Sequence, residues 1–269
     1  MSGIALSNLD LALAACLVLI QAALSLMLAL GLARQIVIAV VRMVVQLALL
    51  GLVLQALFAS VSPWFTGLAA LVMIGFAGRE AVARIGRGFK GLWGHGISTV
   101  SVLVAATLIT SFALTTQIQP DPWYHPRYAI PLLGMVLGNT MTGIALGLNT
   151  LTATAVRERI GIEAQLALGA DIWGAMRPTL REAMRSGLIP IVNAMAATGL
   201  IAIPGMMTGQ MLAGASPEHA IRYQLLVMFM IAGGTGIGVF AAVYAGVRRL
   251  TDDRHRLRLD RLAGFDQDR

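Results

Sequence analysis

Cysteine and charged side chains are both scarce in this chain. Cys16 is the single cysteine among 269 residues, and Asp, Glu, Lys and Arg together make up only 12%. One cysteine excludes an intrachain disulfide and a cysteine-based metal site within one chain. Soluble domains carry about a quarter charged residues, so half that share argues against a soluble protein. With 57% hydrophobic residues, the composition predicts a polytopic membrane protein.

Acidic residues are almost absent from the apolar stretches, where only Asp10 and Glu80 stand, each near one end. A carrier that couples transport to protons or sodium would use carboxylates inside the membrane, so their scarcity favours an external energy source. No paired carboxylates or Ser/His/Asp set lie at a common depth, so we expect no enzyme activity. The glycine-rich run 233–238 lacks the spacing and lysine of a nucleotide-binding loop. We expect no cofactor on this chain and ATP use by a partner; an ATPase-independent secondary carrier is the alternative.

The apolar stretches are long enough to cross a membrane as helices, which need about 20 residues each. Seven spans are predicted, at 9–32, 36–59, 64–85, 97–116, 130–151, 188–207 and 225–247. The third is the shortest run and crosses fully only if it includes Arg79 and Arg84. The sequence thus predicts an all-α fold in which residues 1–269 form one transmembrane domain. Its tail, 248–269, mixes basic and acidic residues and is predicted to be a solvated, partly helical extension.

Basic residues predict the orientation in the membrane. All but three of the 20 Lys and Arg residues (Arg42, Arg127 and Arg222) lie in one set of alternating loops or in the tail. Cytosolic loops carry such an excess, so we expect the N-terminus outside and the C-terminus in the cytosol. The same loops account for the net charge of +7, which in a soluble protein would suggest nucleic acid. We expect a bacterial inner membrane, the lipid bilayer as surroundings and no nucleic-acid partner.

The segment 152–186 is the largest polar island between two apolar runs. Its apolar residues recur at helical spacing; they are Ile162, Leu166, Trp173, Met176 and Leu180. Gly169 interrupts the pattern and Asp171 can cap a second helix, which predicts a helix, a glycine bend and a helix that runs into the sixth span. Pro178 and Pro190 would kink that second helix, and Pro204 with Gly205 would end the sixth span.

The residues Glu163-Ala164-Gln165-Leu166-Ala167-Leu168-Gly169-Ala170 resemble the EAA loop of ABC-transporter permeases. The resemblance implies a cytosolic coupling helix between spans five and six that docks on a separate ATPase. The residues to which it assigns this role are Glu163, Ala164, Gly169, Ala170, Asp171 and Arg181. An interfacial amphipathic helix without a partner is the alternative.

A wider part of the chain resembles the FetB-type iron-export permeases, a group that includes plant aluminium-tolerance membrane proteins. The similarity is strongest in two strings, IPGMMTGQ and AIRYQ, within residues 203–224. It implies a FetA-type ATPase partner, a permease homodimer and export of a metal, with iron as the expected substrate. Another metal or solute is the alternative.

Several polar and soft side chains inside the spans are candidates for a translocation path. They are Arg42, Gln46, Asn139, Met206, Met207 and Gln210. Ionisable groups at membrane depth usually face a cavity or the bundle interior, although Arg42 can instead snorkel to the interface or pair with Glu80. The methionines can equally pack, and their sulfur suits Cu(I) better than iron, so the metal ligands stay open. Small residues predict close helix packing in the fifth span; they are Gly134, Gly138 and Gly143.

Overall fold

A computed structural model describes residues 7–252 and 254–264. Within these residues the chain is helical and contains no strand. The helices are α1 (Asn8–Met27), α2 (Ala33–Ser60), α3 (Pro63–Ala83), α4 (Trp93–Phe112), α5 (Pro126–Arg157), α6 (Arg159–Ala167), α7 (Ile172–Ala197), α8 (Gly205–Leu212) and α9 (Pro217–Arg249). A π-helical turn at Ala113–Ile118 continues α4, and a 3-10 turn occupies Leu259–Arg261. The predicted all-α fold is confirmed.

Six of the described helices are long and apolar enough to cross a membrane: α1, α2, α3, α4 with its π-helical turn, α5 and α9. The prediction of a polytopic membrane protein is confirmed, including the third span, whose apolar run is the shortest and which α3 provides with 21 residues. The total of seven spans and the orientation stay predictions.

The predicted sixth span, 188–207, has different boundaries in the structure. Its first half belongs to α7, which begins at Ile172 and ends at Ala197. The backbone then leaves the helical conformation until α8 begins at Gly205. A break at Pro204 and Gly205 was predicted, because proline lacks the N–H that a helix needs. The structure has a break, but it starts six residues earlier, at Thr198, so the predicted end of the span is wrong.

Helices α5, α7 and α9 form the centre of the bundle, with α3 and α4 packed around them. Glycines allow the central helices to approach closely: a Cβ added at Gly187 would lie 2.7 Å from the carbonyl oxygen of Gly143. Buried aliphatic side chains fill the remaining space; the largest include Ile144, Leu148, Leu151, Val239 and Val243.

The hairpin of α1 and α2 stands apart from this bundle. Only Ala33 and Leu57 of α2 are buried, so most of its apolar surface faces outward. Two polar contacts tie α2 to the bundle near its opposite ends. Arg42 pairs with Glu80 of α3, and the guanidinium of Arg127 lies 5.6 Å from the ring centre of Phe58.

The C-terminal tail folds back against the bundle. Leu250, Leu259 and Leu262 are buried, and the Lys90 N–H donates to the Arg261 carbonyl oxygen at 2.8 Å. The prediction of a solvated extension is therefore wrong for the tail up to residue 264, because its leucines supply apolar surface that the α3–α4 loop covers. Residues 265–269 lie outside the described part of the chain.

Candidate functional site

The EAA-like segment forms a helix, a bend and a second helix, as predicted. Helix α6 ends at Ala167, and Gly169 turns the chain with a φ of +92°, in the left-handed region that favours glycine. Asp171 then caps α7, where its carboxylate accepts the Gly174 N–H at 3.0 Å. Gly169 and Asp171 therefore form the turn and the helix cap that their chemistry predicts.

Most of this bend is exposed. Ile162 is the one buried residue of α6, whereas Ile160 is 75% and Leu168 is 88% exposed. The coupling residues predicted from the resemblance are also exposed, except the half-buried Ala170; they are Glu163, Ala164, Gly169, Asp171 and Arg181. The bend therefore presents two large apolar side chains beside charged ones, as a docking surface for another protein does.

Contacts that the sequence did not reveal attach this exposed segment to the bundle. Trp173 stacks on Tyr244 of α9, with ring centres 4.4 Å apart. Glu182 of α7 accepts from Thr154 at 3.4 Å and lies 3.5 Å from Arg157, both at the end of α5. The first turns of α7 are thereby held by α5 and α9 together.

Arg42 and Gln46 line one groove of about 710 Å³ between α2 and α3, together with Gln35, Glu80 and Arg84. The Arg42 Nη2 atom lies 3.0 Å from Glu80 Oε2, and Arg84 Nη2 lies 3.7 Å from Glu80 Oε1. The suggested pairing of Arg42 with Glu80 is thus confirmed. We name this cavity the inner groove, because its charged residues lie toward the predicted cytosolic ends of both helices.

The other residues predicted for a translocation path lie elsewhere. Asn139 is exposed on α5, and its amide donates to the Met135 carbonyl oxygen at 2.9 Å. Met206, Met207 and Gln210 are partly buried on α8, which packs against α9. None of these four is among the residues that line the inner groove. The candidate path residues therefore do not share one cavity. Arg42 and Gln46 line the inner groove, and the other four lie outside its lining.

The three glycines of α5 also have different surroundings. A Cβ at Gly143 would lie 2.9 Å from side chains of Thr235 and Val239 on α9. At Gly134 the nearest atom would be the methyl carbon of Met73 at 3.4 Å, and at Gly138 the space within 4 Å is open. Gly134 and Gly138 face a second cavity of about 540 Å³ between α2, α3 and α5, which we name the apolar crevice.

No group of three or more His, Cys, Asp or Glu side chains that could hold a metal ion occurs within residues 7–252 and 254–264. These residues therefore do not define a ligand set for a transported metal.

The long apolar helices define the chain as a multi-span membrane protein. A profile described as "Uncharacterised protein family (UPF0014)" matches residues 8–251. The chain belongs to this family, and the resemblance noted from its sequence is confirmed.

Relatives in bacteria and plants cover most of the chain. The "Probable iron export permease protein FetB" of Escherichia coli (strain K12) is 31% identical over 94% of this chain and 95% of its own. The "UPF0014 membrane protein YjkA" of Bacillus subtilis is 34% identical over 82% of this chain and 86% of its own. The "Protein ALUMINUM SENSITIVE 3" of Arabidopsis thaliana is 33% identical over 80% and 77% respectively. No solved structure matches the chain significantly.

Proposed function

We propose that this chain is the permease subunit of an ABC exporter of the bacterial inner membrane, powered by a separate cytosolic ATPase of the FetA type. The observation that carries the proposal is the exposed bend between α6 and α7. It combines an EAA-like string with two apolar side chains, Ile160 and Leu168, that the chain itself leaves uncovered. The relative FetB, described as a probable iron export permease, supports the same proposal.

The contacts of α7 suggest how the ATPase would act on the membrane part. ATP binding would move the docked segment, and the turns of α7 that contact α5 and α9 would follow because they are packed against both. The bundle would then exchange between inward-facing and outward-facing states, as a shift of population driven by nucleotide.

A second copy of the permease would complete the route. Asn139 of α5 and Asn193 of α7 are exposed on their helices. The Asn139 amide N–H donates within its own helix, but polar side chains inside a membrane usually face a cavity or another helix. We propose that this face of α5 and α7 lines a path between two copies of the chain. Iron is the proposed substrate, by analogy with the relative FetB.

Glu80 argues against the alternative of a proton-coupled carrier. It is the carboxylate deepest in the described spans, and Arg42 and Arg84 both lie within 4 Å of it. Each carboxylate oxygen of Glu80 is therefore paired with a guanidinium group, which gives this residue a structural role.

The test is co-purification of a FetA-type ATPase with the tagged permease, followed by iron accumulation in whole cells. We expect Glu163→Lys to lower ATPase recovery and to raise cellular iron, while membrane insertion is unchanged. Glu218→Lys makes the same charge change at the predicted outer end, where Glu218 has only an exposed pair with Arg222, and should have neither effect. Normal ATPase recovery and normal export with Glu163→Lys would reject the proposed docking role.

A further inference from the structure

The inner groove and the apolar crevice join into one continuous cavity. Gln46, Phe76, Ala77 and Met141 line both. The inner groove carries two arginines, one glutamate and two glutamines, whereas the crevice has Gln46 as its single polar side chain. The cavity is therefore charged at one end and apolar along the rest, which is the chemical pattern of a lipid.

The charged end lies at the depth of lipid headgroups. Arg42 and Glu80 stand about 28 Å and about 27 Å along their helices from the tight α2–α3 turn at 61–62, at 1.5 Å per residue. The hydrocarbon core of a bilayer is about 30 Å thick, so both side chains lie just inside its opposite boundary. Side chains in a helix point toward its N-terminus, and the Arg42 guanidinium therefore reaches back from α2 toward the predicted inner interface.

The charges in the groove leave room for an anion. Arg42 and Arg84 share the single carboxylate of Glu80, so the three groups carry a net charge of +1. Both arginine side chains remain about half exposed, at 49% and 48%, and a guanidinium has five N–H donors. Donors that Glu80 does not use are thus available to a phosphate group, which arginine binds well with two parallel hydrogen bonds. A monoanionic phosphodiester would bring the net charge of the site to zero.

The apolar end matches an acyl chain in length and chemistry. From Gln46 to Leu57 the crevice runs about 16 Å along α2, and half of the hydrocarbon core measures about 15 Å. Leu49, Val53, Val72, Leu137 and the open side of Gly138 line it. Helix α2 has few contacts with the bundle along this length, so a chain can enter from the bilayer.

We propose that this cavity binds an anionic phospholipid of the inner leaflet, whose phosphate contacts Arg42 and Arg84 and whose acyl chain fills the apolar crevice. The lipid would lie between the α1–α2 hairpin and the bundle and join the two. This site goes beyond the proposed transport function, because it requires neither the ATPase nor the transported solute.

The test measures lipid binding to the purified full-length chain by native mass spectrometry, with no ATPase present. Phosphatidylglycerol should bind about fivefold more tightly than phosphatidylcholine, the effect of roughly one basic side chain at an anionic surface. Arg42→Gln should remove this preference, and Glu80→Gln should increase it because it frees both guanidinium groups. Arg79→Gln is the matched control, since it removes one charge at the same depth outside the groove and should leave the preference unchanged.

The apolar half is tested separately by filling the crevice. Gly138→Leu should lower the binding affinity for both lipids about threefold or more, since the added side chain occupies space that is open in the crevice. Gly75→Leu, at another open glycine that does not line the crevice, should leave the binding affinity for both lipids unchanged. Glycerol phosphate, which has the headgroup but no chain, should not compete with phosphatidylglycerol at equal concentration.

Three results would overturn the proposal: equal binding of the two lipids, equal effects of Arg42→Gln and Arg79→Gln, or full competition by glycerol phosphate. A second copy of the chain in the crevice would overturn it too. That arrangement would give a disulfide-linked dimer with Val53→Cys in a Cys16→Ser background, formed as readily with phosphatidylglycerol as without it. A monodisperse elution profile for each variant shows that lost binding is not lost folding.

Discussion

The rings of Trp173 and Tyr244 stack with their centres 4.4 Å apart and their planes 15° from parallel. Trp173 belongs to the first turn of α7, directly after the exposed bend, and Tyr244 lies near the end of the 33-residue α9. The stack therefore joins the proposed docking segment to the longest helix of the bundle. A displacement of the bend would pass from Trp173 to Tyr244 and then along α9 to the predicted outer side of the protein.

Removal of the Trp173 indole should reduce transport without reducing the docking of the ATPase. Trp173→Ala loses a stacked pair worth about 1 kcal/mol beyond its buried area, while the exposed bend keeps its own side chains. We expect iron export to fall severalfold while ATPase recovery stays within about twofold. Trp123→Ala truncates a tryptophan of the α4–α5 loop and should leave export unchanged. If Trp173→Ala exports normally, the rings do not transmit the motion.

A large side chain at Gly169 should be harmful for two reasons that can be tested separately, backbone strain and obstruction of the proposed docking surface. Gly169 and Gly214 have φ values of +92° and +95°, and both have open space around them. Tryptophan at either position strains the backbone by about 1–2 kcal/mol, but only Gly169 lies in the proposed docking surface. Gly169→Trp should abolish ATPase co-purification, and Gly214→Trp should preserve it. Equal losses would indicate strain alone.

The packing of α5 on α7 should be sensitive to one methyl group. A Cβ at Gly187 would lie 2.7 Å from a backbone oxygen of α5, where no side chain can move aside. Gly187→Ala should destabilise the protein by about 1–3 kcal/mol, the usual cost of overpacking, and lower its thermal midpoint in detergent. Gly138→Ala, which meets open space, is the control and should keep or slightly raise the midpoint, because alanine favours a helix over glycine. A similar midpoint for both variants would argue against close contact of these helices.

The folded tail should loosen in acid. Asp252 accepts the backbone N–H of Arg256 at 2.9 Å, and this bond, with those from the Arg256 side chain and the Arg254 backbone, holds the pKa of Asp252 below its usual value of 3.8. A depressed carboxylate pKa stabilises the fold above the unfolded value, and that contribution is lost as the pH falls through the folded value. Hydrogen exchange of peptides from 250–262 should therefore accelerate, after correction for intrinsic rates, when the pH drops from 6 to 3.

Asp252→Asn is the matching variant for this pH effect. It should loosen the tail already at pH 6 and reduce the further loss of protection in acid, because the titrating group is gone. Asp121→Asn, in the α4–α5 loop, should behave like the unchanged chain. An identical acid response in all three proteins would assign the effect to other groups.

Local chemistry explains which structural predictions succeeded. Gly169 and Asp171 determine the backbone through a φ preference and a capping oxygen, and the structure has the bend and the cap that they predict. The apolar runs likewise predict spanning helices, because a backbone in lipid must satisfy its hydrogen bonds within itself. The pairing of Arg42 with Glu80 could also be predicted from the sequence, because few other charged residues occur within the apolar runs.

The predictions that failed depend on contacts between distant parts of the chain. The tail contains mixed charges, yet Leu259 and Leu262 bury against a loop that hydropathy does not identify as a partner. The role of Arg42 and Met206 in one translocation path stays a prediction, and the structure adds only that Met206 does not line the groove that contains Arg42. Spacing along one helix gives its faces and does not say which neighbouring helix covers each face.

The amino-acid sequence by itself determined that this chain is a helical membrane protein with a coupling-like bend and the family to which it belongs. These properties depend on composition, hydropathy and local backbone preference, all of which are written along the chain. Tertiary structure alone decided that Trp173 meets Tyr244, that α1 and α2 stand apart, and that a charged groove continues into an apolar crevice. Those features depend on how helices far apart in sequence pack, because cavities and ring contacts exist only between elements already brought together.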